Sequence, residues 1–181
     1  MAHTPEPRPL ASGPLGMRLL SFHRAGETGE NGEAGATGGT CGVAEEAEFP
    51  DAPVRYALLL LRHGDRVLMV HVRSRDCWEL PGGGIEPGER PRETAAREVW
   101  EEAGQRVPPE ALRFAGFART ALGPRQRVWY GAVFTARTEA PQPFTPNAEV
   151  SAAHWRRGLE PLPGGGEVQT VDEYLIAHCP G

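Results

Sequence analysis

Three glutamates, Glu98, Glu101 and Glu102, stand close together in the sequence EVWEE. On a helix, side chains three and four residues apart are neighbours, so these carboxylates would lie side by side and repel one another. A divalent cation turns that repulsion into affinity, because Mg²⁺ prefers oxygen ligands and is commonly held by carboxylates together with substrate phosphates. The spacing therefore predicts a metal site, and the alternative is an acidic helix face that is merely solvated.

Three consecutive glycines, Gly82, Gly83 and Gly84, precede these acids in the sequence PGGGIEPGER. Glycine has no Cβ atom, so a ligand can approach the backbone of such a loop closely. Backbone amides of the loop can bind phosphate oxygens, and its carbonyl oxygens can bind a metal. Loop and acids together predict an oxygen-lined site for a phosphate–metal complex, in which the three glycines bind substrate.

The three glutamates lie side by side only if they stand on a helix, and residues 91–103 have the sequence pattern of a helix. Pro91 stands near its start and Gly104 just past its end, where helix termini favour these residue types. The predicted apolar face consists of Ala96, Val99, Trp100 and Ala103. On a helical wheel the three glutamates cluster within about 100° of arc on the opposite side, which predicts that they face solvent.

The rest of the chain predicts a sheet around this helix. Two hairpins are expected, over residues 54–72 and 113–136, because pairs of β-rich apolar runs flank short turn sequences. A short strand is expected over residues 149–157, and a second helix around Val168–Leu175. Helices packed on a mixed sheet, an α/β fold, result.

The first fifty residues differ in composition from the remainder. The segment GETGENGEAGATGGTCG has no apolar periodicity, and residues 1–51 carry three arginines against eight acidic residues. Residues 1–50 are therefore predicted to be a disordered tail rich in Gly, Pro and Glu, and residues 51–181 one folded domain.

Charge and residue types exclude several classes of function. Residues 52–181 carry 16 arginines against 16 acids, and such a neutral domain is not suited to duplex nucleic acid. The chain contains no lysine, which excludes a Schiff-base lysine and a P-loop. Cys41, Cys77 and Cys179 have neither zinc-site spacing nor the even number of a disulfide framework. We therefore expect a cytoplasmic protein. No membrane contact is expected either, because no apolar run reaches about 20 residues.

The order of residues after Gly83 resembles the Nudix box, the signature of the Nudix hydrolases. The positions that match it are Gly83, Glu89, Arg97, Glu98, Val99, Glu101, Glu102 and Gly104. The last position of the box, aliphatic in the family, is Gln105 here, and Val107 is expected to take over its buried role. WELPGG before the box and a glutamate ahead of a tryptophan near the end also look like the family. The resemblance therefore extends from about Val54 to the C-terminus.

The resemblance implies a Nudix-type α/β/α sandwich and the hydrolysis of a nucleoside diphosphate linked to another group, X. Mg²⁺ or Mn²⁺ is the implied cofactor, since metal ions offset the charge of the phosphates. Arg97 is expected to orient the carboxylates, and Glu89 to brace the loop against the helix. The implied metal ligands are Glu101, Glu102, Glu98 and the carbonyl of Gly83.

Other assignments lie outside the box. The general base is expected to be Glu149, with Glu98 as the alternative. Arg73, in HVRSRDCWEL, resembles a strand arginine that contacts substrate phosphate in the family. The aromatic residues that would stack on a base, with a place in the core as the favoured alternative, are Trp129, Phe144 and Trp155.

The identity of X stays open at this point. The residues that would mark the ADP-ribose and dinucleoside polyphosphate classes are absent around Thr120 and Ala121–Gly123, which favours a nucleoside triphosphate-type, mutator-like substrate. The alternatives are an ADP-ribose or nucleotide-sugar pyrophosphatase and a non-catalytic nucleotide sensor. The three acids favour an enzyme, because a sensor has no need of mutually repelling carboxylates. The expected partner is a small nucleotide, and a homodimer is one option for the oligomeric state.

Overall fold

The computed structural model describes residues 8–26 and 43–179, which contain ten strands and two α-helices besides loops and two three-residue 3-10 helices. The helices are α1 (Pro91–Ala103) and α2 (Thr170–His178). The strands are β1 (Ala11–Ser12), β2 (Arg18–Arg24), β3 (Val54–His63), β4 (Arg66–Val72), β5 (Cys77–Glu79), β6 (Gly82–Gly84), β7 (Arg113–Leu122), β8 (Arg127–Arg137), β9 (Val150–Arg157) and β10 (Glu167–Val168).

The strands form one mixed sheet. Their order is β1-β2-β7-β8-β3-β4-β5-β10, with β6 paired to β3 and β9 paired to β4. The pairs β3–β8 and β5–β10 are parallel, and the other pairs are antiparallel. The predicted hairpins are confirmed as β3–β4 and β7–β8, and the predicted second helix is confirmed as α2. In the described part of the chain, neither helix has the length and apolar character needed to cross a membrane.

An apolar layer separates each face of the sheet from a helix. Leu59 and Leu61 of β3 lie in the same layer as Val99 of α1, whereas Leu60 lies in the layer with Leu175 of α2. Successive residues of a strand point to opposite faces, so this one strand contributes to both layers. The result is the α/β/α sandwich that the sequence predicted.

The N-terminal segment corrects the prediction of a disordered tail over residues 1–50. Strand β2 pairs antiparallel with β7 from Arg18 to Arg24, and Leu19 is fully buried in the layer of α2. Phe49 stacks on Tyr130 with 3.7 Å between ring centroids. These two parts of the predicted tail therefore belong to the fold. They are stabilised by partners far along the chain, which composition does not reveal.

The remainder of that prediction concerns residues 1–7 and 27–42, which lie outside the described residues.

Helix α1 has the predicted bounds, and Val99 and Ala103 are buried as predicted, but its buried face is turned away from Trp100 and toward Glu102. Its buried residues are Thr94, Ala95, Val99, Glu102 and Ala103. Trp100 is 45% exposed, and the guanidinium of Arg106 covers its ring at 4.0 Å from the centroid. The prediction placed Trp100 in the core because it is apolar, and so turned the helix too far. Glu102, expected to face solvent, is buried.

Gln105, the departure from the box, is buried and hydrogen-bonded. Its Nε2 donates to the carbonyl of Gln142 at 2.8 Å, and its Oε1 accepts from the amide of Gln142 at 2.9 Å. The residue thus ties the end of α1 to the proline-rich loop before β9. Val107 is buried in the layer of α1, as the sequence predicted.

Candidate active site

A cavity of about 630 Å³ lies between β6, the first turn of α2 and the turn that joins β7 to β8. It is lined by the three glycines of β6 and by Glu98, Glu101 and Glu149. The structure therefore brings together most of the residues that the sequence selected. A cavity of this size suits a nucleotide-sized ligand.

The glycine strand lies directly against α1. A Cβ atom on Gly83 would fall 2.3 Å from Oε1 of Glu98, so a larger residue would displace that carboxylate. Pairing with β3 fixes the strand from its other side, with Gly83 opposite Ala57. The backbone of the loop and the carboxylates of the helix thus share one wall of the cavity.

Arg97 connects the acids to the loop. Its Nη1 donates to Glu98 Oε1 at 2.8 Å and to Glu101 Oε2 at 2.9 Å, and its Nη2 donates to the carbonyl of Gly84 at 3.1 Å. Its Nε and Nη2 also donate to the two carboxylate oxygens of Glu89, at 2.9 and 3.0 Å. The hydrogen bonds with Glu89 raise the pKa of Arg97 well above its usual range, so the guanidinium stays charged.

Glu89 joins the loop to the start of α1. Beyond its contacts with Arg97, it accepts hydrogen bonds from Thr94 Oγ1 at 2.7 Å and from the amide of Glu86 at 3.2 Å. The hydrogen bonds from Arg97 lower its pKa to about 2. The bracing contact expected from the sequence is present.

Glu102 lies beneath the loop. It is 3% exposed, and its Oε2 accepts a hydrogen bond from the amide of Gly82 at 2.9 Å. Burial raises its pKa to about 8, and the nearby charges of Glu98 and Glu149 act in the same direction. The Gly82 amide, expected to bind substrate, is therefore occupied by this carboxylate.

The donor set fits a divalent cation in its chemistry. Carboxylates that are crowded and partly desolvated gain most from a bound cation, and carboxylate oxygen is the ligand type that Mg²⁺ prefers. As they stand, no three His, Cys, Asp or Glu side chains in the described part of the chain are close enough together to hold a metal ion. Glu98 and Glu101 are instead bonded to Arg97, so a cation must compete with Arg97 for their oxygens.

The loop before β9 places Glu149 at the cavity. Asn147 Nδ2 donates to the carbonyl of Glu101 at 2.9 Å, which fixes the loop to the end of α1. Asn147 Oδ1 accepts from the amides of Glu149 and Val150 at 2.9 and 2.7 Å. Glu149 was predicted from the sequence, whereas Asn147 was not, because its role depends on contacts with a distant helix.

Arg55 and Arg75, rather than the predicted Arg73, are the arginines that line the cavity. Arg73 Nε donates to the carbonyl of Asn147 at 3.0 Å, and the residue does not line the cavity. Arg75 lines the cavity and forms two hydrogen bonds with Glu79, at 2.8 and 2.7 Å. The turn between β4 and β5 carries Arg75 back toward the site, and a sequence pattern does not show that geometry.

The three aromatic residues that could stack on a base lie in different parts of the structure. Trp129 lines the cavity. Phe144 and Trp155 instead pack against the layer of α1, as the favoured alternative predicted.

The sequence analysis missed the side of the cavity that faces α2. Asp172 is buried there, and its Oδ2 accepts a hydrogen bond from the amide of Leu80 at 2.8 Å. Burial raises its pKa to about 8. Leu15 and Met17 of the N-terminal segment and Gln169 complete this side. Asp172 stands in the first turn of a helix, where an acid is ordinary, so nothing in the sequence marked it.

The sequence of the chain is similar to those of known proteins. Residues 51–165 match the family model for the NUDIX domain. The human 8-oxo-dGDP phosphatase NUDT18 is 38% identical over 99 residues, which are 49% of this chain and 28% of that protein. An RNA pyrophosphohydrolase of Cereibacter sphaeroides is 51% identical over 42 residues, which are 23% of this chain and 25% of that protein. The chain thus spans only about a quarter of the length of these curated relatives.

Solved structures agree on the fold. A pyrophosphohydrolase from Bacillus subtilis is 28% identical with a TM-score of 0.50, and the match covers 62% of this chain and 67% of that one. A MutT NUDIX hydrolase from Burkholderia pseudomallei is 17% identical with a TM-score of 0.59, covering 71% of this chain and 98% of that one. At 17% identity the second likeness supports the fold alone.

Proposed function

Because the chain belongs to the NUDIX family, we propose that it hydrolyses a phosphoanhydride bond in a nucleoside diphosphate linked to a further group, X. The observation that carries the proposal is the contact between Gly83 and Glu98. It sets close-approach backbone beside crowded carboxylates in one wall of a cavity of nucleotide size.

The carboxylates of Glu98, Glu101 and Glu102 and the carbonyl of Gly83 would hold Mg²⁺ or Mn²⁺. When bound, the metal supplies positive charge that offsets the negative charge of the phosphates. Arg97 keeps two of these carboxylates oriented through its hydrogen bonds, and it does not need to touch substrate. Glu89 holds Arg97 and the loop in place.

Glu149 is the proposed general base. Its exposed carboxylate lines the cavity and can accept a proton from the attacking water. Glu98 is the second candidate. Burial raises the pKa of Glu98, which brings it nearer to the range that suits proton transfer at neutral pH.

The proposed substrate is of the nucleoside triphosphate type. The names of the relatives, an 8-oxo-dGDP phosphatase and a putative 8-oxo-dGTP diphosphatase, support a nucleotide substrate. An ADP-ribose or nucleotide-sugar pyrophosphatase remains the second enzymatic candidate, and a nucleotide sensor the non-enzymatic one. We place the protein in the cytoplasm, which the free, buried cysteines Cys77 and Cys179 support.

A substrate panel combined with one substitution tests this function. Nucleoside triphosphates, ADP-ribose, dinucleoside polyphosphates and nucleotide sugars are incubated with Mg²⁺ or Mn²⁺, and released phosphate or pyrophosphate is measured. We expect Glu102→Gln to lower kcat/KM about 10³-fold, because it removes a charge worth several kcal/mol in the transition state. The amide keeps an oxygen that can accept the Gly82 hydrogen bond.

Glu110→Gln, a change at an exposed residue outside the cavity, is the matched control. Turnover of Glu102→Gln at the wild-type rate would show that Glu102 is not a metal ligand. Nucleotide binding without hydrolysis of any compound in the panel would favour the sensor.

A further inference from the structure

Strand β9 has an open edge. It pairs antiparallel with β4, and no other strand in the described part of the chain pairs with it. Every second residue of such a strand points its amide and carbonyl away from the sheet. An unpaired edge is a template on which another strand can form hydrogen bonds.

The hairpin of β3 and β4 decides which peptide groups of β4 point to β9. Two residues form its turn, so His63 and Arg66 on either side of the turn exchange both hydrogen bonds, and the peptide groups of Arg66 point to β3. The direction alternates along the strand. The residues of β4 whose amides and carbonyls point to β9 are therefore Val67, Met69 and His71.

The partners of these three residues in β9 are Arg156, His154 and Ala152, in that order. Their peptide groups point inward, so the peptide groups of Ala153, Trp155 and Arg157 point outward. Those of Arg157 are bonded in a turn, because its amide donates to Oε1 of Glu160 at 2.9 Å and its carbonyl accepts from the amide of Glu160 at 3.1 Å. These two bonds agree with the outward direction.

Ala153 and Trp155 keep four unbonded backbone groups. No hydrogen bond to another described residue engages their outward amides and carbonyls, and both residues are partly exposed. At the start of the strand, the amide of Val150 donates to Oδ1 of Asn147 at 2.7 Å, and its carbonyl accepts from the amide of Asn147 at 3.0 Å. Turns thus close both ends of the edge, and two residues in its middle stay open.

The open part of the edge is complementary to itself. In an antiparallel pair centred on His154, Ala153 of each copy lies opposite Trp155 of the other copy. The four unbonded groups of one edge then bond the four of the other. Such a contact is isologous, with a two-fold axis that passes between the two copies of His154. A longer peptide would gain no further backbone bonds, because the turns at Asn147 and Glu160 already occupy the neighbouring groups.

The charges at the ends of the strand favour the same arrangement. Glu149 precedes β9, Arg157 ends it, and both residues are exposed. Antiparallel pairing brings the Arg157 end of each copy beside the Glu149 end of the other, whereas parallel pairing would bring like charges together. Residues 52–181 carry equal numbers of arginines and acids, so two such domains have no net charge that would keep them apart.

We propose that the outer edge of β9 is the interface of a homodimer, in which a second copy of this chain continues the sheet across Ala153 and Trp155. The inference is independent of the proposed hydrolase activity, because it rests on backbone geometry and charge. Two residues of each copy exchange only a few hydrogen bonds. We therefore expect a weak dimer, with a Kd between about 1 µM and 1 mM.

Sedimentation velocity of the full chain over a range of concentrations measures this Kd. Ala153→Pro removes the outward amide of each copy and leaves the bonds to β4 in place, since a strand edge tolerates proline where the nitrogen points outward. We expect the Kd to rise at least about 10-fold, because two hydrogen bonds are lost. Ala153→Ser retains the amide and is the matched control, whose Kd should stay within about 2-fold.

Substitutions of His154 test the two-fold axis without changing the backbone. His154→Lys can still pair with Glu160, which lies 3.6 Å from Nε2 of His154, but it sets two like charges opposite each other. The Kd should rise about 5-fold. His154→Cys should form an intermolecular disulfide on oxidation, because residues that face each other in this way have Cα atoms about 4.5 Å apart. Glu110→Cys, exposed but outside β9, should not, and the wild type gives the background from its own cysteines.

The outcomes decide the proposal in either direction. A wild-type chain that stays monomeric up to about 1 mM would refute it. A dimer whose Kd is unchanged in both Ala153→Pro and His154→Lys would also refute it, by placing the interface elsewhere. If Ala153→Pro does not fold, the response of the Kd to His154→Lys and the crosslink of His154→Cys decide instead. A weakened dimer together with that crosslink would support the interface, whether or not the chain hydrolyses any compound of the panel.

Discussion

Two walls of the cavity differ in how their polar groups are bonded. The acid wall, formed by β6 with Glu98 and Glu101 and backed by the buried Glu102, is held by hydrogen bonds within the protein, most of them to Arg97. The amide wall, formed by Gly13–Met17 and Gln169, leaves both polar atoms of its amide without a partner among the described residues. The difference teaches that the proposed metal ligands are held by bonds to Arg97 and the loop, which a cation must partly displace, whereas the Gln169 amide has no such bond to lose.

The strongest way to separate the two walls is to disable chemistry while leaving recognition intact. Glu149→Gln is expected to lower kcat about 10²–10⁴-fold, because the amide cannot accept a proton from water. Nucleotide binding, measured by calorimetric titration in EDTA, should not change. The measurement is the pH dependence of kcat for the wild type and the variant.

Glu139→Gln, at an exposed position in the loop that follows β8, is the control for this prediction. A pH–rate profile of Glu149→Gln that matches the wild type would assign the role of base to Glu98.

Binding of a metal ion should change how the free energy of unfolding depends on pH. The pKa values of Glu102 and Asp172 are raised to about 8 by burial, so both are protonated in the metal-free folded state well below that pH. In the unfolded chain the two carboxyl groups ionise near pH 4. Their contribution to the free energy of unfolding is therefore complete below about pH 4 and is lost as the pH rises toward 8. We expect the free energy of unfolding in EDTA to fall by a few kcal/mol between about pH 5 and pH 9.

Substitutions assign this decline to Glu102, beneath the acid wall, or to Asp172, on the side of the cavity that faces α2. Glu102→Gln and Asp172→Asn should each remove part of it. Mg²⁺ should restore stability at high pH in Asp172→Asn but not in Glu102→Gln, because only the acid wall is proposed to bind metal. Denaturant unfolding at several pH values, with and without Mg²⁺, measures the effect. A Mg²⁺ response that survives in Glu102→Gln would contradict the assignment.

The smallest expected effect concerns Arg75, one of the arginines that line the cavity. Arg75→Ala should lower kcat/KM about 10-fold, equivalent to one charge-assisted hydrogen bond, since Arg75 lines the cavity and neutralises Glu79. Arg73→Ala, two residues earlier and outside the cavity, is the matched control and should stay within about 2-fold. The opposite ranking in steady-state assays would restore Arg73 as the substrate-binding residue.

The acid wall could be predicted because its residues stand close together in the sequence. Gly83, Glu89, Arg97 and Glu98 stand at fixed spacings on one loop and one helix, so the pattern itself places them together. The burial of Glu102 could not be predicted in this way. It depends on β6 lying across the helix and donating the Gly82 amide, which is a tertiary contact.

The amide wall could not be predicted because its parts are far apart in the chain. Gly13 and Gln169 meet only after β2 has joined β7 and α2 has packed on the sheet. Neither residue type marks such a site, since glycine and glutamine are common on surfaces and in loops. That Arg75 lines the cavity while the predicted Arg73 does not could not be seen from the sequence for a related reason, because the turn before β5 sets the positions of both residues.

The position of β2 also bears on solubility. A long strand at the rim of a sheet presents free amides and carbonyls on which another molecule can form an intermolecular ladder. Strand β7 has ten residues, and β2 covers it from Arg18 to Arg24 before the sheet closes with the two-residue β1. Because β1 pairs with only Arg18 and Leu19, the remaining rim is the rest of β2, which is shorter than β7 and therefore a shorter template for edge-to-edge aggregation.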